Sequence, residues 1–487
     1  MPASHHPARR LTMTTMAIAV VGFVGSVLIT RASYVVGCLP GHHLHHADVV
    51  GPERRVYQVG VAVLVLAWLA LGRLALDRSR TGMMRRTCWA TGVMALPLLV
   101  SVPVASQDVW AYLGQANVAV HGLDPYAVGP DAVPGPYLHA VDNSWTSSPS
   151  PYGPLWLFVC RLVVSVTQPH VWAGVYVLRG LAVAGLVVTG VLLVRLSRAV
   201  GGRPEVAVWL AVANPFTLLM LVSAVHNDAV MLPLMLGGAT VAATRASPRA
   251  LLVAAALVGA AGAIKVIALV LLPFLPLFWF RYAAHEGPGP GPHPALRRWV
   301  ATASATTATG VLTVLGLGVV LGFGTGWLPH VGDGRSGVSW LSIPQQVGNV
   351  LHALAPDRVA DIPLDRYPWL HPLGLVLLGV GLAAVVVTAH RRPPARSVML
   401  ALLLLVLASP APRTWYLLWP LMFLAVDRLR SSAVVATAAV SATIVLWFPA
   451  SVRPQPPEWA LLALLVPTTA LAALVVTAAQ PAETQDA

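Results

Sequence analysis

Ionisable side chains occur at three places next to or inside long apolar runs, where a charge is costly and is a functional candidate. They are Asp108 in Ser106-Gln107-Asp108, the triplet His226-Asn227-Asp228, and Lys265, which is the only lysine in the chain. The carboxylate of Asp108 follows an apolar run directly and can act as a general base toward a hydroxyl group. The same position suits a helix N-cap, so the residue by itself leaves both roles open.

The other two places carry groups that can hold an anion or a polar ligand. His226-Asn227-Asp228 ends a predicted apolar helix, where it can bind phosphate or hydroxyl groups or cap the next helix. Lys265 lies about 15 residues into the following apolar run, or roughly 22 Å along a helix. Its ammonium group either snorkels toward the interface or pairs with an anion, and we favour a lipid phosphate. Arg413, at a proline-rich turn, is a second candidate cation.

A segment without basic residues surrounds the first of these places. Residues 106–156 contain four aspartates, several aromatic residues and many prolines, but no lysine or arginine. Arginines in short connections mark the cytoplasmic side of a membrane protein, so this segment is predicted to lie outside. Its candidate substrate contacts are Gln107, Asp124, Trp110, Tyr112, Tyr126, Tyr152 and Trp156.

The composition requires a membrane around these groups. Of the 487 residues, 57% are hydrophobic and 10% are charged, against about 25% charged in soluble domains. Apolar stretches of about 18 to 24 residues recur, and each can cross a hydrocarbon core of roughly 30 Å. We predict an all-α polytopic membrane protein of about 12 to 14 transmembrane helices. Residues 1–487 form one domain, with outer segments at 106–152 and 323–369. The topology between residues 153 and 194 stays open, because the arginines that follow fit a cytoplasmic end only if one run is tilted or re-entrant.

Several other functions are not expected. The net charge of +13 comes from arginines at helix ends and not from a basic face, so nucleic acid is not a partner. The three cysteines form neither a disulfide framework nor a metal site. The histidine tract 42–46 resembles a metal-binding tract, but no carboxylate or cysteine pattern completes it, so we expect a solvated loop. No phosphate-binding glycine loop is present, which argues against a nucleotide-linked donor.

Short motifs in a particular order resemble a known family. The motifs are Gln107-Asp108, Gly122-Leu123-Asp124-Pro125-Tyr126, Pro151-Tyr152-Gly153-Pro154-Leu155, Asn214-Pro215, His226-Asn227-Asp228, Lys265 and Trp415-Tyr416-Leu417-Leu418-Trp419. Together they resemble the actinobacterial polyprenol-phosphomannose-dependent α-1,6-mannosyltransferases, the MptA/MptB group of the GT-C membrane glycosyltransferases. In many GT-C enzymes the acidic loop follows the first span, whereas here it follows the third.

The resemblance implies an inverting transfer of mannose from a polyprenyl phosphate to a mannan or lipoglycan acceptor of the cell envelope, on the outer face of the membrane. Asp108 would be the catalytic base, and Lys265, His226 and Arg413 would bind the donor phosphate. Asn227 and Asp228 would join the substrate contacts named above. We expect no obligatory cofactor, and a divalent metal stays open. The alternatives are transfer of arabinofuranose or glucose from the same carrier, and a lipid or polysaccharide transporter.

Overall fold

All regular structure in the described part of the chain is helical. A computed structural model describes residues 6–41, 47–284, 294–330, 340–354, 370–409, 412–448 and 459–479. Within these ranges, five helices are long and apolar enough to cross a membrane, a sixth span is a bent pair, and eight apolar helices are shorter. The predicted all-α polytopic fold is confirmed. The histidine tract 42–46 and two parts of the second predicted outer segment, 331–339 and 355–369, lie outside the described residues.

The first seven helices lead to Asp108 and then away from it. They are α1 (His6–Val36), α2 (Ala47–Leu76), α3 (Met83–Ala95), α4 (Asp108–Val120), α5 (Pro136–Ala140), α6 (Pro154–Thr167) and α7 (Val171–Ala199). A 3-10 helix, Leu96–Val100, extends α3. Helix α6 has 14 residues, or about 21 Å, which is shorter than the roughly 20 residues that a perpendicular crossing needs. The run at 155–166 is therefore not a full perpendicular span.

The middle of the chain consists of broken helices. They are α8 (Pro204–Ala207), α9 (Pro215–Thr217), α10 (Asp228–Thr244), α11 (Pro248–Gly262) and α12 (Leu275–Phe278). Helices α8 and α9 continue as π-helical segments. Together they form the bent pair, in which the helix axis changes direction by 46°. Pro215 has no backbone N–H to continue the helix. Asn214 stabilises the bend, because its side chain accepts from the Phe216 N–H and donates to the Leu210 carbonyl.

The C-terminal part is also helical in the residues that the structure describes. Its helices are α13 (Leu296–Val320), α14 (Ile343–Leu354), α15 (Leu370–Val387), α16 (Pro394–Ala408), α17 (Leu418–Ala425), α18 (Ser431–Trp447) and α19 (Trp459–Ala478). One of them, α14, lies in the predicted outer segment 323–369. A 3-10 turn, Thr414–Leu417, leads directly into α17.

Small residues allow the helices to approach closely. A Cβ atom on Gly25 of α1 would lie 2.8 Å from the Gly60 carbonyl oxygen of α2, and a Cβ on Gly60 would lie 2.8 Å from that of Gly25. Without a hydrophobic driving force between helices in lipid, such close packing is a main source of helix association. Helix α10 packs against both α7 and α11, and α11 also packs against α13. Within this group, Arg179 lies on α7, Asp228 is the first residue of α10, and Lys265 follows α11.

One prediction about Lys265 is wrong. The sequence placed it about 15 residues into a continuous helix, but α11 already ends at Gly262 and Lys265 has an extended backbone with φ −138° and ψ 123°. The break is stabilised from outside, because the N–H groups of Gly153 and Leu155 donate to the carbonyls of Ile264 and Ala263. The start of α6 thereby satisfies backbone groups that the broken helix leaves unpaired.

Candidate active site

Asp108 is the first residue of α4, and its side chain does not cap that helix. Its Oδ2 atom lies 3.4 Å from the Tyr112 hydroxyl, 3.5 Å from the Tyr152 hydroxyl and 3.5 Å from His226 Nδ1. These contacts show that the carboxylate turns away from the free N–H groups of α4, so the N-cap alternative is excluded. One fifth of the side chain is exposed, which leaves Asp108 accessible to a ligand.

His226 contacts Asp108 from a distant part of the sequence. Its ring is stacked on Trp415, with 4.1 Å between the ring centroids, and its side chain is fully buried. The Nε2 atom of His226 and both polar atoms of the Asn227 side chain are buried without a hydrogen-bond partner among the described residues. Buried polar atoms are rarely left unpaired in native proteins, so these atoms indicate a place for a polar ligand or water.

Asp228 and Lys265 form a buried ion pair. Lys265 Nζ donates to Asp228 Oδ2 at 2.7 Å, and Trp419 Nε1 donates to Asp228 Oδ1 at 2.5 Å. Asp228 is completely buried, whereas 12% of the Lys265 side chain is exposed. Asp228 starts α10 without capping it. Since both of its oxygens are engaged and none of its surface is exposed, Asp228 positions Lys265 and is closed to direct substrate contact.

Two aromatic rings and a second cation complete this side of the site. The Lys265 ammonium group lies 5.2 Å from the centre of the Tyr416 ring and 5.7 Å from that of Trp419, within the range of a cation–π interaction. The Tyr416 and Trp419 rings are themselves stacked at 4.3 Å. Arg413 directly precedes this turn and is partly exposed, and its side chain forms no hydrogen bond with the described residues. Its guanidinium group is therefore available for an anion.

The electrostatic environment keeps Asp108 ionised. Burial raises the pKa of its carboxyl group, but the contact with His226 and the charges of His226, Lys265 and Arg413 lower it by more, to about 2. The cations that act on Asp108 are thus the same groups that could bind an anionic ligand.

Strained backbone lies next to both halves of the site. Ala105 has φ +65° and Val225 has φ +60°, a region that residues other than glycine seldom adopt and that is a clear outlier for a β-branched residue. Ala105 lies three residues before Asp108, and Val225 immediately precedes His226. Such strain persists only where surrounding structure enforces it, and it concentrates at functional sites.

A buried arginine supplies part of that enforcement. The guanidinium group of Arg179 donates to the carbonyls of Leu99, Val222 and Ser223. These carbonyls end the helical segments that precede Ala105 and Val225. The Arg179 side chain thus fixes the C-terminal ends of the two helical segments that lead to Asp108 and to His226.

The structure does not bring every predicted residue to this place. Trp110 is buried, donates to the Cys38 carbonyl and packs edge-on against Trp172. Tyr126 is also buried, and its hydroxyl donates to the Tyr152 carbonyl.

Three other predicted substrate contacts, Asp124, Trp156 and Gln107, do not contact the Asp108 carboxylate. Asp124 is exposed and accepts the Tyr126 N–H in a turn. Trp156 is buried beneath Tyr112, whose ring it contacts edge-on. Gln107 is half-buried beside Asp108, and its side chain makes no hydrogen bond to any residue that the structure describes. Among the predicted aromatic residues, Tyr112 and Tyr152 alone contact Asp108.

Sequence reasoning missed four residues at the site. Trp415, Tyr416 and Trp419 stood in a recognised motif, but no role was assigned to them. Their signal was the aromatic spacing at positions i, i+1 and i+4, which places the first and last on one helical face. The fourth is Arg179, an arginine in the middle of an apolar run, which the same argument about buried charge would have selected.

No group of three or more histidine, cysteine or acidic side chains that could hold a metal ion occurs in the described ranges. Whether a divalent metal takes part stays open.

Comparisons with known proteins point to one family. The sequence profile described as "Alpha-(1->6)-mannopyranosyltransferase, N-terminal domain" matches residues 19–281. Alpha-(1->6)-mannopyranosyltransferase A of Mycobacterium tuberculosis is 31% identical over 442 residues, which cover 88% of this chain and 83% of the relative.

Two proteins of Corynebacterium glutamicum are also similar. Its alpha-(1->6)-mannopyranosyltransferase A is 30% identical over 70% of this chain and 71% of the relative. Its alpha-(1->6)-mannopyranosyltransferase B is 25% identical over 84% of this chain and 72% of the relative. No solved structure matches the chain. The profile match over more than half of the sequence, together with these relatives, shows that the chain belongs to the MptA/MptB family of alpha-(1->6)-mannopyranosyltransferases, which are membrane glycosyltransferases.

Proposed function

We propose that the protein transfers mannose from a polyprenyl phosphate to a mannan or lipoglycan acceptor on the extracytoplasmic face of the membrane. The observation that supports this most strongly is the placement of one accessible carboxylate, Asp108, within the field of the cations Lys265 and Arg413. A reaction that takes a proton from a hydroxyl group and releases a phosphate needs this combination. Family membership as a glycosyltransferase sets the transporter alternative aside.

The displacement is a single step. The oxygen of an acceptor hydroxyl attacks the anomeric carbon, the bond from that carbon to the phosphate oxygen breaks, and the electron pair leaves with the phosphate. A β-linked donor then gives an α-linked product, so one base suffices. Asp108 accepts the hydroxyl proton. Tyr112 and Tyr152 hold the carboxylate through their hydroxyl groups.

The low pKa of Asp108 is compatible with this role once the donor is bound. The charges of His226, Lys265 and Arg413 lower that pKa in the free protein. An anionic phosphate that binds these cations offsets their charge and therefore raises the pKa of Asp108 toward a value suited to a base. Binding of the donor and activation of the base are thereby coupled.

Lys265 and Arg413 bind the leaving phosphate. An ammonium group has three hydrogen-bond donors, and Lys265 uses one of them for Asp228, so two are left for phosphate oxygens. The guanidinium group of Arg413 provides a second, planar set of donors. These charges stabilise the negative charge that develops on the leaving phosphate. The Nδ1 atom of His226 lies 3.5 Å from Asp108 Oδ2, and its unpaired Nε2 atom is left for the donor phosphate.

The test compares Asp108→Asn with wild type in purified enzyme. With labelled polyprenyl-phosphomannose and an α-1,6-mannan acceptor, we expect transfer to fall by about 10²- to 10⁴-fold, the usual contribution of a general base. Donor binding should persist, because the asparagine leaves both cations in place. Asp131→Asn is the matched control, since Asp131 is an exposed aspartate of the same segment.

Two results would overturn parts of the proposal. Unchanged transfer by Asp108→Asn removes the base role. Transfer by wild type only from a polyprenyl phosphate that carries arabinofuranose or glucose would show that the sugar is wrong while the carrier is right.

A further inference from the structure

A neutral cleft lies at the C-terminal ends of α4, which begins with Asp108, and α6, which begins two residues after Tyr152. Helices α4 and α6 pack together. At their N-terminal ends, the Tyr152 hydroxyl lies 3.5 Å from Asp108. Just past α6, Gln168 donates to Asn117 Oδ1 on α4 at 2.8 Å. The two helices therefore run parallel, and a cleft of about 300 Å³ opens beside the Asn117–Gln168 pair.

The polar groups of the cleft are held in place and have unused hydrogen-bonding capacity. Since Asn117 Oδ1 accepts from Gln168 Nε2, the Asn117 amide nitrogen remains as a donor and Gln168 Oε1 remains as an acceptor. His121 Nδ1 lies 2.9 Å from the Asn117 backbone carbonyl. A carbonyl oxygen can only accept, so Nδ1 donates and Nε2 is left as an acceptor in the neutral ring.

The walls of the cleft are apolar. Tyr137, Pro136 and Pro169 line it, and the Tyr137 hydroxyl is already engaged with Thr167 Oγ1 at 3.1 Å. Its seven lining residues include no carboxylate, ammonium or guanidinium group. A phosphate would find no cation there, and a hydrocarbon chain would leave the amide and imidazole groups without partners. Fixed donors and acceptors between apolar surfaces suit the hydroxyl groups of a neutral sugar.

We propose that this cleft binds a sugar residue of the acceptor chain at a distance from the reacting end. Asn117 lies nine residues after Asp108 on one helix, which is roughly 14 Å, too far for a single sugar ring to bridge. The inference rests on the proposed function, because it takes the acceptor to be a glycan chain. The cleft would make the enzyme prefer acceptors long enough to occupy both places.

The experiment measures acceptor length preference. The ratio of kcat/KM for a long α-1,6-linked mannooligosaccharide to that for the disaccharide is determined for wild type and for the double variant His121→Ala/Gln168→Ala. Both side chains are exposed, so their truncation removes ligand contacts with little change to the packed core. We expect the ratio to exceed one in wild type and to fall by about tenfold in the double variant, as loss of two hydrogen-bonding groups implies. The change should appear in the KM of the long acceptor.

His139→Ala is the matched control, because His139 is an exposed histidine of the same segment that does not line the cleft; it should keep the wild-type ratio. Wild type without a length preference, or a double variant with an unchanged ratio, overturns the inference while transfer itself persists. If wild type transfers mannose to neither acceptor, the proposed function fails and the cleft assignment fails with it.

Discussion

The buried pair of Asp228 and Lys265 allows stability and function to be separated by experiment. Asp228→Asn leaves the ammonium group of Lys265 without its charged partner, and Lys265→Met leaves a completely buried carboxylate held by Trp419 alone. Removing one member of a buried pair costs about 3–5 kcal/mol, whereas replacing both is often neutral or stabilising. Each single variant should therefore be less stable than the double variant Asp228→Asn/Lys265→Met.

The expected size follows from the length of the chain. With an unfolding entropy of about 2.1 cal/mol/K per residue, 487 residues give a shift in Tm of about 1 °C per kcal/mol. Each single variant should lower the apparent Tm by about 3–5 °C, and the double variant should recover most of that loss. Because membrane proteins often unfold irreversibly, the scan rate must be the same for all variants and the inactivation half-life should be measured beside Tm.

Donor affinity should not recover with stability. Both variants that lack Lys265 lose a phosphate contact, so the double variant should bind polyprenyl-phosphomannose as weakly as Lys265→Met does. Two outcomes would refute the reasoning. Additive losses of Tm would show that Asp228 and Lys265 are not energetically coupled, and wild-type donor affinity in the double variant would show that Lys265 does not contact the phosphate.

Two further predictions concern the base and the helix break. In His226→Gln, the loss of the histidine contact and charge raises the pKa of Asp108, which is about 2 in wild type. The acidic limb of the pH profile of kcat/KM should then move to higher pH. A limb at the wild-type pH would show that His226 does not act on Asp108. In Gly153→Ala, the new Cβ would press against the Ala263 carbonyl oxygen, so we expect a loss of about 1–3 kcal/mol in stability, read as a lower apparent Tm, together with reduced transfer. Gly180→Ala, whose Cβ meets nothing within 4 Å, should keep both at the wild-type level, and equal losses in the two variants would remove the steric argument.

The sequence located the charged residues well because burial makes charge expensive. Asp108 and Lys265 stood out against apolar neighbours without any knowledge of the fold. Which charges meet was not predictable. Asp228 and Lys265 are 37 positions apart and start or precede different helices, and hydropathy carries no information about such a distance. Lys265 therefore looked like a lone cation, although it is paired.

The irregular backbone was harder to predict than the spans. Most long apolar runs became helices, since in lipid a helix satisfies its own backbone groups. The bend at Asn214-Pro215 has a sequence signal, because proline cannot donate. The left-handed conformations of Ala105 and Val225 have none, because alanine and valine normally avoid positive φ. The end of α11 at Gly262 depends on hydrogen bonds from the start of α6, which lies more than a hundred residues earlier.

The segments that carry Asp108, His226, Lys265 and Arg413 all enter the site where a helix is interrupted. Asp108 follows the left-handed Ala105, His226 follows the left-handed Val225, Lys265 is itself extended, and Arg413 precedes a 3-10 turn with an extended backbone. Interrupted helices at membrane depth are tolerated only where protein buries them or where they line a cavity. Side chains in a continuous span face neighbouring helices or lipid, whereas an interruption lets chain segments meet at their ends. The charges could converge on one place because the helices that carry them break there.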